Sequence, residues 1–153
     1  MKLAASAQAV ADRLVETRTL SSSGQRDVGE NVAGFRLEEP GRNLSGIIAN
    51  AILDWYDESK RFNWDQPEKN EFNGVSHFTQ MIWNSTRILG LAVGKSNFSH
   101  IFVIVAHYKP RGNQGGEFTH NVLPSLIQSS SEEEVQESRT SKDNNLSHNA
   151  NEL

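Results

Sequence analysis

The chain has 153 residues, 36% hydrophobic and 22% charged, which is enough for one domain with a buried core and too few for two typical domains. Its net charge of −4 comes entirely from residues 129–153, which hold six acidic and two basic side chains; residues 1–128 are neutral. A neutral body lacks the basic excess that phosphate-backbone binding needs, which excludes nucleic acid as the expected partner. The chain contains no cysteine, which excludes disulfides and thiolate sites and fits a reducing compartment.

The sequence predicts that any membrane contact is peripheral. It contains no run of about 20 apolar residues, the length that a membrane-spanning helix needs. Near the start, Ser6, Gln8 and Asp12 interrupt the apolar residues, so this segment is expected to be a helix, with a weak signal peptide as the less favoured alternative. Lys2 stands where myristoylation requires glycine, and the C-terminus carries no cysteine for prenylation.

Two amphipathic helices are predicted from apolar residues that recur at three- and four-residue steps. The first covers residues 3–19. The second begins after Asn43, a residue type that caps helices. Its apolar positions are Leu44, Ile47, Ile48, Ala51, Ile52, Trp55 and Tyr56.

A β-hairpin is predicted from residues 88–94 and 101–108, because the six residues between these apolar runs are rich in turn formers. Residues 101–106 are apolar on both faces, which predicts a central strand covered by helices. Helices combined with antiparallel strands indicate an α+β layered domain over residues 1–128. Residues 129–153 are rich in Ser, Glu and Asn and are expected to be a disordered acidic tail.

Five motifs then occur in a defined order. They are GEN at 29–31, WYDE at 55–58, SHFTQMIWNST at 76–86, VIVAHYKPRGN at 103–113 and NVLP at 121–124. Together they resemble the CAP superfamily (cysteine-rich secretory, antigen 5, pathogenesis-related). Ala106 replaces the cysteine of secreted members, and the absence of cysteine and the NVLP ending resemble the Golgi-associated plant pathogenesis-related branch.

The resemblance implies a three-layer α-β-α sandwich with a central antiparallel sheet, an open cleft and no established enzyme activity. The chain starts after the position of the family's first helix, so that helix is expected to be missing. The implied partner is an anionic lipid or sterol membrane surface, and a homodimer is a further possibility. The implied location is the cytoplasmic face of the Golgi or of other membranes, with an extracellular defence or venom-like protein as the alternative.

The family cleft holds two histidines and two glutamates. Glu30, Glu58 and His77 match three of these four positions, and the first histidine falls near Ser22. Imidazole and carboxylate groups are zinc or magnesium ligands, so the three residues are a candidate metal set and cleft lining. With one histidine missing, weak binding or none is expected. The alternative is a structural network of hydrogen bonds and charges, which we favour.

A hydrolase is a weaker hypothesis. It would use Ser22 or a neighbouring serine as the nucleophile, His77 as the base and Glu58 to orient the histidine. The sequence has no Gly-x-Ser-x-Gly elbow, and serines are so frequent in this chain that such a combination carries little information. We therefore expect no catalytic residue here. His100, His107 and His120 show no metal-ligand spacing and are interpreted as surface or strand histidines.

A possible membrane contact lies in residues 60–64. Lys60 and Arg61 would face anionic headgroups, and Phe62 and Trp64 would enter the interface. The alternative, which we hold equally, is that these aromatics pack over the cleft wall. The other large aromatics, Trp55, Tyr56, Trp83 and Phe102, are expected in the core.

Overall fold

The structure is a computed structural model that describes residues 3–36, 43–70, 74–96 and 100–125. Its elements in chain order are α1 (Leu3–Thr17), β1 (Gly29–Arg36), α2 (Leu44–Asp57), α3 (Ser76–Met81), β2 (Ile88–Lys95), β3 (Ile101–Lys109) and α4 (Phe118–Asn121). Two short 3₁₀ turns, Glu58–Arg61 and Pro67–Lys69, lie between α2 and α3. The predicted acidic tail, residues 129–153, lies outside the described residues.

The strands form an antiparallel sheet in the order β1-β3-β2. The pairing of β2 with β3 confirms the predicted hairpin, and β3 is the central strand that its apolar run predicted. Strand β1 was not predicted, because its sequence, GENVAGFR, has neither a β-branched run nor clean alternation. It forms because its backbone pairs with that of β3, in a register that places Glu30 opposite His107.

The sheet is covered by helices on both faces, which confirms the three-layer arrangement. Successive side chains of a strand point to opposite faces. On one face, α1 packs against Val103 and Val105 of β3. On the other, α2 packs against Ile104 and Ala106. These four residues of β3 are almost completely buried.

Helix α1 packs very closely on β2 because two glycines face it. A Cβ added to Gly90 would lie 2.4 Å from the backbone nitrogen of Ala4, and one added to Gly94 would lie 2.6 Å from the carbonyl oxygen of Ala11. Backbone atoms cannot move aside as a flexible side chain can. The glycines therefore fix the spacing between this helix and the sheet.

Helix α2 begins as predicted, because the Asn43 side chain accepts a hydrogen bond from the backbone nitrogen of Ser45 at 3.1 Å. Its buried face is narrower than the predicted apolar stripe and consists of Ile47, Ala51 and Trp55. Tyr56 is 54% exposed, so the expectation that it lies in the core is wrong. The aromatic ring of Tyr56 instead packs edge-on against Phe78 from the surface.

A third apolar cluster lies around α3. It consists of Phe62, Val75, Phe78, Trp83, Phe118 and Val122. Trp55 and Trp83 are buried as expected, and Phe102 is partly buried. In the part of the chain that the structure describes, no helix is both long and apolar enough to cross a membrane.

Candidate functional site

Glu58 and His77 form the first of two carboxylate–imidazole pairs. Glu58 follows α2 directly, and its Oε1 lies 2.8 Å from Nδ1 of His77. Its Oε2 accepts hydrogen bonds from the backbone nitrogens of His77 and Phe78 at 2.9 and 3.1 Å. The imidazole also stacks on Trp55, with ring centroids 6.0 Å apart. Glu58 therefore ties the end of α2 to the first turn of α3 and orients His77.

Glu30 and His107 form the second pair. Oε2 of Glu30 lies 3.0 Å from Nε2 of His107, whose side chain is fully buried. Oε1 accepts hydrogen bonds from the Ser22 hydroxyl at 3.0 Å and from the Ser23 backbone nitrogen at 2.7 Å. Burial alone would raise the pKa of Glu30, but the hydrogen bonds from Ser23, His107 and Ser22 outweigh it and lower the pKa below its ordinary value.

The two pairs flank strand β1 on opposite faces of the sheet. His107 shares the α1 face with Val105, and its cross-strand neighbour Gly90 lies against α1. Asn31, which follows Glu30, points to the other face and donates to the carbonyl oxygen of His77 at 3.0 Å and to the Tyr108 hydroxyl at 3.3 Å. Glu30, His107 and Asn31 thus form a polar strip that runs across strand β1 from one face of the sheet to the other.

An apolar groove of about 470 Å³ lies on the α2 face, and its wall includes Trp55, on which His77 stacks. Trp55 and Tyr108 belong to its wall, and Ile52, Ile88 and Leu89 are exposed large apolar side chains on its rim. Among the described residues, its lining consists of Ile52, Trp55, Met81, Ile82, Trp83, Thr86, Arg87, Ile88, Leu89, Leu91, Ala106 and Tyr108. Arg87 is the one charged residue of that set.

Known proteins resemble this chain in sequence and in fold. The family model described as "CAP: Cysteine-rich secretory protein family" matches residues 1–108. The chain belongs to the CAP family. It is 35% identical over 125 residues to Golgi-associated plant pathogenesis-related protein 1 of Homo sapiens, covering 77% of this chain and 73% of that protein. The resemblance predicted from the motifs is confirmed.

Venom allergens are also among the relatives of this CAP domain. It is 34% identical over 101 residues to venom allergen 5.02 of Vespa crabro, covering 63% of this chain and 46% of the allergen. The chain thus spans about half the length of that allergen. The solved structure of BmVAL-1 shares the fold, with a TM-score of 0.60, 24% identity and coverage of 74% of this chain and 60% of that one. Both an intracellular and an extracellular location are represented among the names of the relatives.

The predicted metal set is divided by the structure. Glu58 and His77 lie together, whereas Glu30 is paired with His107 on the other face of the sheet. Within residues 3–36, 43–70, 74–96 and 100–125, no three His, Cys, Asp or Glu side chains are grouped closely enough to hold a metal ion. Structural zinc is usually held by four ligands, and catalytic zinc by three protein ligands. The described residues do not provide such a ligand set. The metal role of Glu30, Glu58 and His77 and their place in one shared cleft stay predictions.

The hydrolase arrangement is not formed either. The Ser22 hydroxyl donates to Glu30, and the His77 imidazole is paired with Glu58. A serine nucleophile must lie within hydrogen-bond reach of its base. Here the serine and the histidine belong to separate pairs.

The predicted membrane contact at residues 60–64 needs correction at Phe62 and is otherwise untested. Phe62 is only 5% exposed and packs against Phe78, so it is a core residue. Arg61 is held by the Gly74 carbonyl oxygen, and Lys60 pairs with Asp57. Trp64 is 42% exposed but packs edge-on against Phe62 at 4.8 Å. This geometry favours the alternative in which the aromatics pack together.

Sequence reasoning missed the role of His107 and Asn31. His107 was interpreted only as a surface or strand histidine, yet it is the buried partner of Glu30. Its Nδ1 and the Oδ1 of Asn31 are buried without a hydrogen-bond partner among the described residues. Buried polar atoms of native proteins usually have a partner, so these two atoms distinguish the polar strip from the apolar core around it. Only the register, which sets Glu30 opposite His107, could have revealed it.

Tyr108 makes the stability of this CAP domain sensitive to alkali. Burial raises its pKa to about 12, although the hydrogen bond from Asn31 acts in the opposite direction. Its contribution is therefore complete below the unfolded value of 10.0 and is lost as the pH rises towards 12. We expect Tyr108→Phe to cost about 1 kcal/mol at neutral pH and to remove this loss. Urea unfolding between neutral and alkaline pH measures both effects.

Tyr56→Phe is the matched control, because Tyr56 is 54% exposed. It should leave the alkaline dependence unchanged. If Tyr108→Phe retains the full alkaline loss, burial of the Tyr108 hydroxyl is not its cause.

Proposed function

We propose that this CAP domain is a non-enzymatic lipid-binding protein that takes a sterol or an acyl chain into the groove between α2 and β2 and associates peripherally with membranes. The observation that carries the proposal is the groove itself. Ligand sites are typically concave, largely apolar and roughly 300–1,000 Å³ in volume, and this groove has these three properties. Its exposed rim, Ile52, Ile88 and Leu89, would be covered by lipid or by the membrane interface.

Arg87 supports an anionic headgroup at the mouth of the groove. One nitrogen of its guanidinium group donates to the carbonyl oxygens of Asn84 and Thr86, which hold the side chain in place. No acidic residue within the described parts of the chain forms an ion pair with it. An exposed, positioned cation beside an apolar groove complements an amphiphile with a negative head.

The location that we propose is the cytoplasmic face of the Golgi or of other membranes. The name of the human relative and the absence of cysteine support it. The venom allergen relatives support the extracellular alternative. Glycans on the native protein at Asn84, an exposed residue that starts an Asn-Ser-Thr sequon, would favour the alternative.

Vesicle flotation at low salt tests the lipid proposal. We expect the chain to float with vesicles containing anionic lipid or sterol and to float less with neutral vesicles. Ile52→Glu places a charge on the groove wall and should reduce the bound fraction at least about fivefold, because burying an unpaired charge is costly. Energy transfer from Trp55 and Trp83 to a fluorescent sterol gives a second readout, since both indoles line the groove.

Leu53→Glu is the matched control. Leu53 is the next residue of α2, is also exposed and does not line the groove. It should leave flotation and energy transfer within about twofold of the unmodified chain. If the unmodified chain binds no vesicle and no sterol at low salt, or if both variants lose binding equally, the groove is not a lipid site.

A further inference from the structure

Strand β2 lies at an edge of the sheet, because β3 separates it from β1. At its far end, the backbone nitrogen of Ser96 donates to the carbonyl oxygen of Ile101 at 2.9 Å. Along an antiparallel pair, residues that bond to the partner strand alternate with residues that do not. Every second residue before Ser96 is therefore bonded to β3, and the residues between them turn their N–H and C=O groups away from it. These outward residues are Leu89, Leu91, Val93 and Lys95.

One of the outward groups has a partner, and it supports this alternation. The side-chain nitrogen Nε2 of Gln8, on helix α1, donates to the carbonyl oxygen of Val93 at 3.0 Å. That carbonyl group therefore points away from β3. Within the described parts of the chain, no hydrogen bond reaches the outward backbone groups of Leu89 or Leu91. The open part of the edge is thus the half of β2 that precedes Val93.

The open half of β2 has none of the features that usually protect an edge strand. Such strands are normally interrupted by charged residues or by proline. Residues 88–94 contain neither. Ile88 and Leu89 are 57% and 59% exposed, although both are large apolar residues. An exposed apolar edge of this kind is a template for pairing with another strand.

The charges at the two ends of β2 favour an acidic partner over a second copy of this chain. Arg87 and Lys95 are exposed, and neither forms an ion pair with an acidic residue of the described chain. Two β2 strands paired antiparallel about Leu91 would place Arg87 of each copy opposite Lys95 of the other. Like charges that lie directly opposite each other destabilise a pair of strands. A peptide with a carboxylate opposite Arg87 would instead be attracted.

We propose that β2 binds an extended peptide of a partner protein as an additional antiparallel strand. Leu89 and Leu91 would each exchange both backbone hydrogen bonds with the peptide, which provides affinity. The peptide residues opposite them would turn their side chains to the α2 face, beside the exposed apolar residues, and should be apolar. An acidic residue should follow near the C-terminal end of the peptide, opposite Arg87. The recognised pattern is therefore apolar, any residue, apolar, any residue, acidic.

Titration of the full chain with the acetylated peptide Thr-Thr-Val-Ser-Val-Thr-Glu-Glu tests the site. NMR should show that the amide signals of Leu89 and Leu91 shift and that their hydrogen exchange slows. Methylation of the backbone nitrogens of both valines should weaken binding at least about tenfold, because it removes the donors to the strand edge. Lysine in place of both glutamates should weaken binding at least about threefold.

Leu89→Pro is the corresponding change in the protein. It removes an outward N–H group and no hydrogen bond to β3, a position where strands tolerate proline. We expect it to weaken peptide binding at least about fivefold. Leu89→Thr is the matched control, because it also removes the exposed leucine side chain but keeps the N–H group. It should bind the peptide within about threefold of the unmodified chain.

The proposal is overturned if the peptide does not bind, if its N-methylated form binds as well, or if Leu89→Pro and Leu89→Thr lose binding equally. If Leu89→Pro does not fold, the N-methylated peptide decides with the unmodified chain. The site goes beyond the lipid proposal, because a lipid in the groove does not need the amide hydrogen of Leu89. Flotation with vesicles should therefore not distinguish the proline from the threonine variant, and a failure of the lipid proposal changes none of the peptide results.

Discussion

Replacing Glu30 with alanine is expected to lower the free energy of unfolding by about 3 kcal/mol at neutral pH. The change removes the acceptor for Ser22, Ser23 and His107 at once. It leaves the buried imidazole of His107 without a hydrogen-bond partner among the described residues at either ring nitrogen. Urea unfolding of the variant beside the unmodified chain measures the loss.

Glu30→Gln removes the negative charge of Glu30 and keeps a side chain of nearly the same shape. It keeps an acceptor oxygen and should cost about 1–2 kcal/mol, less than alanine. The pKa of Glu30 is lowered in the folded state, so its charge stabilises the fold fully above the ordinary value of 4.5. That stabilisation is lost as the pH falls through the lower, folded-state pKa. The stability gap between the unmodified chain and Glu30→Gln should therefore close below about pH 4.5.

A gap that stays constant through the acid range would contradict this explanation. It would mean that Glu30 acts through packing or neutral hydrogen bonds. The Ser22→Ala variant removes only one donor to Glu30 and should lower the free energy of unfolding by about 1 kcal/mol. It gives the cost of a single hydrogen bond, with which the larger cost of Glu30→Ala can be compared.

Glu58→Ala is expected to cost about 3 kcal/mol and to loosen the connection between α2 and α3. The largely buried carboxylate of Glu58 receives two backbone hydrogen bonds and contacts His77 Nδ1. Without it, the nitrogens of His77 and Phe78 lose their acceptor. Urea unfolding gives the free energy, and hydrogen exchange at these two amides should accelerate beyond the global change.

Glu58→Gln is the control for the charge and Asp57→Ala the control for position. Asp57 is an exposed neighbour whose partner is Lys60, and exposed ion pairs are worth at most about 1 kcal/mol. If Asp57→Ala destabilises the chain as much as Glu58→Ala, the hydrogen bonds of Glu58 do not explain the effect. A structural role for the pair also requires that His77→Ala lower stability, whereas a catalytic role would require a reaction that this change abolishes.

The elements with strong periodicity were predictable from the sequence. Helix α1 was predicted because Ala7, Val10, Ala11 and Leu14 form one apolar stripe, and they are the residues that the sheet buries. The central position of β3 followed from its apolar residues on both faces. In each case the pattern of apolar residues indicates how many faces of the helix or strand are buried.

The positions of the site residues were harder to predict from the sequence. GEN at 29–31 gave no sign of a strand, because β1 is stabilised by pairing with β3. Phe62 follows two basic residues, Lys60 and Arg61, so a membrane contact and packing over the cleft wall were equally compatible with the sequence. It is buried because α3 and α4 bring Phe78 and Phe118 into its cluster, and that contact joins residues far apart in the chain.

The motifs and the hydrophobic periodicity were enough to assign the CAP family and the layered α+β class and to single out Glu30, Glu58 and His77 as candidate site residues, because both are visible in the linear sequence. The partners of these three residues became visible only in the folded chain. A strand turns alternate side chains to opposite faces, so Glu30 meets His107 under α1 while Asn31 contacts His77 under α2. Which face each residue takes depends on register and on packing between distant segments, and neither is written in any single stretch of the chain.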